Sequence, residues 1–267
     1  MRIALHVGQL TQPVPGGIAR YVRALLRELP RHDIEPVPFA AAPRPRGVTG
    51  DYVDLGWPRG SLRYEAWHRL RRPTLDVPGD IAELGVWRGA GLMTWANLLE
   101  TYVVGNRTKT VYGFDNWEGF TSLAAEDGAQ DAAAGKVVGG FSPKSYFAEL
   151  QDAIAIFDQD RFIPQKARVK LVPGDIAQTV PQFVRDNPGV RFSLIHFDCD
   201  LYQPTKAALD AFWPVLSRGG LMLFDEYAIP NWPGETRAVD EFIADKPGLR
   251  IRTLNWNNTP AGYLVKD

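Results

Sequence analysis

The stretch FSLIHFDCDLYQPTKAALDAFWPVLSRGGLMLFDEY, Phe192–Tyr227, decides the fold. Two apolar runs, FSLIHF and LMLF, each end in acids: Asp198 and Asp200 after the first, Asp225 and Glu226 after the second. Between them Ala208, Leu209, Phe212, Val215 and Leu216 recur at helical spacing, and Ser217–Gly220 reads as a helix stop. Short apolar runs without alternation mark strands of a parallel sheet buried on both faces. The pattern therefore predicts strand, crossover helix, strand. Both acid pairs then fall at the carboxyl ends of the strands, where open α/β sheets bind ligands. Carboxylates buried side by side are costly unless a cation or proton compensates, so these acids predict a site.

Working outward, strand and helix signals alternate from Asp80 onward. DIAELGV, TVYGFD and RVKLVPGD read as three earlier strands. GLMTWANLLETYV, SPKSYFAELQDAIAIF and TVPQFVRD read as the helices between them, and RAVDEFIAD as a helix after the fifth strand. RIRTLNW and AGYLVKD form a final strand pair joined at Asn257–Pro260. The sum is an α/β, Rossmann-like, doubly wound, mostly parallel sheet with a C-terminal antiparallel hairpin. Leu123–Gly140, LAAEDGAQDAAAGKVVGG, follows the second strand at the ligand edge and reads equally as a mobile lid or as a surface loop.

The first 76 residues differ in character. MRIALHVGQL and EPVPFA are strand candidates, GGIARYVRALLREL is a helix candidate and RYEAWHRLRR reads as a basic helix, after a Pro/Arg/Gly-rich stretch from Ala42 to Gly60. That amounts to about one βαβ unit, too little for an independent two-layer domain. The expected division is 1–76, a small extension serving as cap or oligomer contact, and 77–267, the main domain.

Composition narrows the class. At 267 residues, 45% hydrophobic and 23% charged, the chain can bury one sizeable core. A formal net charge of −1 argues against nucleic acid or an anionic membrane as the main partner. No run approaches the ~18 apolar residues of a membrane span, and the N-terminus lacks a secretory pattern, so a cytoplasmic protein is expected. A single cysteine, Cys199, rules out an internal disulfide framework and a cysteine-rich metal site.

Glu83–Gly91, ELGVWRGAG, follows a strand and opens a helix. Its glycines at 85, 89 and 91 let a ligand approach the backbone, and the helix N-terminus favours an anionic group. The spacing fits neither a phosphate-binding P-loop nor the dinucleotide fingerprint, and a tight βα turn explains the glycines equally well. Asp115, ending the second strand, is placed to accept bonds from ribose hydroxyls, or else serves as a turn residue. Gly174 and Asp175, ending the third, fall where an adenine would lie, or make a plain turn.

Together VPGDIAELGVWRGAG, YGFDNWEGF, LVPGD, HFDCDLYQPT and GGLMLFDEY resemble the macrocin O-methyltransferase family over roughly Val77–Lys266. The resemblance implies a seven-stranded class I methyltransferase sheet that uses S-adenosylmethionine and Mg²⁺ to methylate a sugar hydroxyl on a natural product or glycan. It places Glu83, Gly85, Trp87 and Gly89 by the methionine part of the cofactor, Asp115 at the ribose, and Gly174 and Asp175 near the adenine. Asp198, Asp225 and Glu226 take the metal-ligand positions, although the family more often has Asp-Asp where Asp225-Glu226 stands here. Homo-oligomerisation is expected from the same relatives.

Oxygen ligands suit Mg²⁺ better than Zn²⁺. A sugar hydroxyl is a poor nucleophile near neutral pH, and a dication lowers the pKa of an oxygen bound to it. Asp198 is the first choice of general base and His196, on the same strand face, the alternative. Asp200 reads as a second-layer partner or, preferably, as the cap of the following helix. Tyr202, Tyr227, Trp117 and Phe120 are candidates for the pocket or for core packing. The N-terminal segment also resembles the opening of family 4 GT-B glycosyltransferases, but the second half such an enzyme needs is replaced by the methyltransferase motifs. A non-catalytic cofactor-binding scaffold is the remaining alternative.

Overall fold

A computed structural model of the chain describes residues 2–6, 26–32, 35–40, 48, 53–54, 76–103, 106–159, 161–253 and 259–267. The chain divides into two units, Met1–His68 and Arg69–Asp267. In the first, β1 (Arg2–His6), β2 (Glu35–Ala40) and β3 (Val53–Asp54) form a parallel three-stranded sheet in that order. Residues 26–28 are helical and run into a 3₁₀ turn at Leu29–His32. The rest of the expected first helix and the whole basic helix RYEAWHRLRR lie outside the described residues.

The second unit holds a seven-stranded sheet. Its strands are β4 (Asp80–Leu84), β5 (Val111–Asp115), β6 (Val169–Pro173), β7 (Phe192–Phe197), β8 (Leu216–Phe224), β9 (Arg252–Thr253) and β10 (Gly262–Val265). Their order across the sheet is β6-β5-β4-β7-β8-β10-β9. The first five run parallel, and β10 pairs antiparallel with both β8 and β9. The chain thus winds outward from β4 to β6, then returns to place β7 on the other side of β4. That reversal opens a crevice at the carboxyl ends of β4 and β7, the usual ligand site of such sheets.

Burial explains the strand sequences. All six residues of β7 are buried, which is why FSLIHF shows no alternation. Helices α1 (Ala90–Tyr102), α2 (Phe147–Gln159), α3 (Ile176–Asp186), α4 (Tyr202–Phe212) and α5 (Pro233–Ala244) follow the strands. One core cluster joins Leu84, Phe114, Phe192, Phe197, Phe212 and Phe224, and a second joins Ile81, Leu92, Leu99, Val111 and Leu194. No helix among the described residues is long and apolar enough to cross a membrane.

Three boundaries depart from the sequence reading. Helix α4 stops at Phe212, two residues before Pro214, which lacks the N–H that a further helical turn would need. Val215 and Leu216 therefore leave the helical stripe, and β8 begins at Leu216, taking the expected helix stop into the strand with a register shift against β7. The Leu123–Gly140 segment is folded: it carries a 3₁₀ turn at Ala125–Asp127 and a β-bridge between Asp131 and Lys136.

Candidate active site

The crevice between β4 and β7 opens into a cavity of about 320 Å³, within the small-molecule range. Gly85, Trp87, Asp115 and Asp175 line one end, and Asp198, Asp200 and Glu226 the other. Gly85 is required at the join: its φ is +85°, and a Cβ there would collide with the backbone oxygen of Asp198. Among the described residues five other than glycine also hold positive φ, namely Trp87 at 48°, Trp117 at 54°, Phe141 at 53°, Asp200 at 62° and Ala228 at 63°. Backbone strain of this kind collects where a site over-determines the chain.

Asp115 organises the first end. Its Oδ2 accepts the backbone N–H groups of Val86 and Trp87, both at 2.8 Å, and its Oδ1 accepts that of Trp117 at 2.7 Å. Three of about four acceptor positions are thereby used, leaving the carboxylate one for a ligand hydroxyl. Asp175 lines the cavity too, and its Oδ1 accepts Ala177 N–H at 2.9 Å as the cap of α3. Gly89 and Gly174 stand back from the cavity wall. Gly89, at φ +86°, is the N-cap residue of α1, where a Cβ would collide with the Leu150 side chain; Gly174 holds φ +130° in its turn.

Glu83 and His196 are paired residues of adjacent strands, and His196 Nδ1 lies 3.2 Å from Glu83 Oε1. Both side chains are buried behind the cavity wall. A Cβ on Gly91 would strike Glu83 Oε1, so the third glycine of the ELGVWRGAG turn makes room for this acid. His196 Nε2 faces Asp225 Oδ1 at 3.8 Å, an ion-pair distance too long for a hydrogen bond. Burial pulls the imidazole pKa down, but Asp225 and Glu83 outweigh it and push it up to about 10. Glu83 is raised by burial, with His196 pulling against it.

At the second end, carboxylate oxygens of Asp198, Asp200 and Glu226 lie within 4.8 Å of one another. Asp198 also groups with Glu83 and His196 at that spacing. Asp225 belongs to neither group among the described residues, although the sequence put it beside Glu226. Burial is the main cause raising the pKa of Asp198, to about 8, with His196 pulling it down and Asp225 and Asp200 adding to the rise. Glu226 is driven up by burial and then by Asp200 and Glu235 beside it. Asp200 is not the cap of α4, whose N-cap residue is Leu201. Its left-handed backbone turns it into the acid cluster instead.

Two further acids escaped the sequence reading. Glu235, in the first turn of α5, is fully buried; its Oε1 accepts the Glu226 backbone N–H at 2.9 Å and its Oε2 is unpaired. Asp127, from the Leu123–Gly140 segment, is also buried. It accepts the N–H of Tyr202 at 2.7 Å and of Ala124 at 2.7 Å. An acid at a helix start is ordinary, so Glu235 carried no signal, and Asp127 sat in a low-information loop. Among the aromatics, Phe120 lines the cavity, whereas Trp117 packs on Phe147 in the core. The Tyr202 and Tyr227 hydroxyls bond Glu241 and Asp240 on α5.

Comparison with known proteins follows the same geometry. The profile of the Macrocin-O-methyltransferase (TylF) family matches residues 67–250. The chain is 30% identical to mycinamicin III 3''-O-methyltransferase of Micromonospora griseorubida, over 58% of this chain and 57% of the relative. It is also 30% identical to a tetracenomycin rhamnosyl 4'-O-methyltransferase of Streptomyces olivaceus, over 57% of this chain and 54% of the relative. The chain thus spans little more than half the length of these curated relatives. Among solved structures, the calicheamicin methyltransferase CalS11 superposes with a TM-score of 0.68 at 30% identity, covering 96% of this chain and 88% of that one. An apo structure of CalS11, described as a TDP-rhamnose 3'-O-methyltransferase, gives 0.60 at 32% identity over 78% and 81%.

Proposed function

Because the chain belongs to the macrocin O-methyltransferase family, we propose that it methylates a sugar hydroxyl of a glycosylated natural product or glycan, using S-adenosylmethionine with Mg²⁺. One observation carries this reading: a single cavity joins the Gly85–Asp115 end to the Asp198–Asp200–Glu226 cluster. The relatives supply the reaction type, and one cavity is lined by both groups of residues.

The residues fit both groups. Gly85 packs the β4 turn directly against the Asp198 backbone, and Asp115 beside it keeps one acceptor position for a cofactor hydroxyl. Glu226 Oε2 is buried without a partner, and a cluster of oxygen donors suits Mg²⁺. Asp198, Asp200 and Glu226 would hold the ion, and Asp225 remains a candidate ligand whose carboxylate is set against His196. When bound, the dication lowers the pKa of the acceptor hydroxyl, and the sulfonium cofactor supplies an electrophilic methyl group.

The protein's own part is proton handling and position. Asp198 would accept the acceptor hydroxyl's proton, and the dication it helps to hold would keep its carboxylate ionised for that role. His196 sits behind the wall with its Nδ1 against Glu83 Oε1, which suits a positioning role better than that of base. It orients the acids behind the wall. Asp115 fixes the glycine turn and offers its remaining acceptor position to the ribose. Residues 1–76 are proposed as a cap or as a contact between copies of the chain.

Calorimetry with S-adenosylmethionine, with Mg²⁺ and then with EDTA, tests the reading. Micromolar binding is expected. Absence of binding would refute the methyltransferase reading, and binding without transfer to any glycoside would point to a scaffold.

A further inference from the structure

We infer that Phe120, Phe141 and Trp232 form a subsite for the apolar body of an uncharged acceptor, and that the cavity rejects acceptors carrying a diphosphate. This rests on the methyltransferase reading above and narrows its substrate class. The three rings meet pairwise at the cavity wall, with centroids 5.6 Å apart for Phe120–Phe141 and 6.0 Å for each contact with Trp232. Such rings bind the C–H face of a sugar or an apolar aglycone by desolvation and dispersion.

The cluster is held from behind. Lys136 is buried, donates to the backbone oxygens of Asp127 at 3.1 Å and Asn231 at 2.7 Å, and lies 5.4 Å from the Trp232 ring centroid. Its charge is therefore spent on bracing the aromatic wall. Phe141 remains 46% exposed, an unusual state for a phenylalanine and one that a ligand's apolar surface would relieve.

The charge of the cavity wall points the same way. Among the described residues that line the cavity six are carboxylic acids, and none is lysine, arginine or histidine. A sugar nucleotide brings two negative charges on its diphosphate and needs ammonium, guanidinium or free backbone N–H groups to receive them. The N-termini of α3 and α4 reach the cavity, but each already holds an acid: Asp175 caps the first and Asp127 the second. Arg88 is stacked between the rings of Trp87 and Tyr146, at 4.4 and 4.2 Å, and does not line the cavity. A bound dication and a cationic cofactor offset part of the acidic charge without leaving an excess for a diphosphate. The relatives include proteins described for each class, a rhamnosyl-tetracenomycin and TDP-rhamnose, so the choice is a real one.

The test is a matched pair that shares one sugar. The full chain is titrated calorimetrically with p-nitrophenyl α-L-rhamnopyranoside and with dTDP-L-rhamnose, alone and with S-adenosylhomocysteine. The neutral rhamnoside should bind at least about tenfold more tightly, and Phe141→Ala and Trp232→Ala should each weaken it about tenfold. Their affinity for S-adenosylmethionine should be unchanged. Equal or tighter binding of the nucleotide, no binding of the rhamnoside, or wild-type rhamnoside affinity in Phe141→Ala would overturn the inference. Phe141 is half-exposed, so that variant remains informative if Trp232→Ala, at the start of α5, does not fold. A separate cofactor titration keeps failure of the methyltransferase reading distinct, because the acceptor comparison is read without cofactor as well.

Discussion

Asp127 Oδ1 accepts the Tyr202 backbone N–H at 2.7 Å, so an acid from the Gly/Ala-rich segment caps the helix that follows Asp198 and Asp200. The same carboxylate closes its own turn through Ala124 N–H, and Gly234 lies against it so tightly that a Cβ would collide. One side chain thus ties the segment beside the cavity to both α4 and α5.

Asp127→Ala should therefore destabilise the second unit by about 2 kcal/mol, since it leaves two N–H groups without acceptors and removes a helix cap. Thermal unfolding is the check, with an expected drop of roughly 4–8 °C for a chain of this size. Asp127→Asn, which keeps one oxygen, should lose less. A wild-type melting temperature in Asp127→Ala would show that the joint carries no stability.

Asp198→Asn keeps the shape of the acid and removes its charge. Turnover should fall by at least about a thousandfold, while S-adenosylmethionine affinity stays within about twofold. Parallel turnover and calorimetry separate the two effects. A near-normal rate would remove Asp198 from the roles of base and ligand.

Asp115→Ala should act at the opposite end. It frees the N–H groups of Val86, Trp87 and Trp117 and deprives the ribose of its acceptor, so cofactor affinity should weaken by about tenfold or more. Unchanged affinity, measured by calorimetry on a folded variant, would mean that Asp115 serves only the turn.

Lys109 gives a pH test away from the site. Its ammonium is buried and donates to Val77 O, Gly79 O and Ser193 Oγ at 2.6–2.8 Å. Burial pulls its pKa from 10.5 down to about 8, although Asp80 and Asp76 pull it up. Between those values the unfolded chain holds the proton and the folded chain has released it. The group's contribution to stability therefore rises with pH across that window and is constant below it. Denaturant titrations should give a slope more positive in the wild type than in Lys109→Met, by at most roughly 1.4 kcal/mol per pH unit. Equal slopes would contradict the shifted pKa.

The sheet was legible because its central strands carry their burial in their composition. FSLIHF and LMLF need no context to be read as parallel strands, and the acids that end them fall at the edge the topology makes a crevice. Local signals placed Gly85, Asp115, Asp198 and Glu226 at the cavity. What the sequence could not give was side-chain direction. A register reading placed His196 on the face of Asp198, but its partners Glu83 and Asp225 come from neighbouring strands. Asp200 reads as a cap until its left-handed backbone is seen. Asp127 and Glu235 reach the site only through tertiary packing of a loop and a later helix, for which no periodicity exists.

The central claim is methyl transfer to a sugar oxygen at the acid cluster. The most direct measurement follows a deuterated methyl group from S-adenosylmethionine into a neutral rhamnoside by mass spectrometry, with Mg²⁺ and then with EDTA. A labelled sugar ether is expected to form in step with S-adenosylhomocysteine, to be lost with EDTA and to be restored by Mg²⁺. Cofactor binding with no labelled ether on any neutral glycoside, or transfer indifferent to EDTA, would contradict the claim.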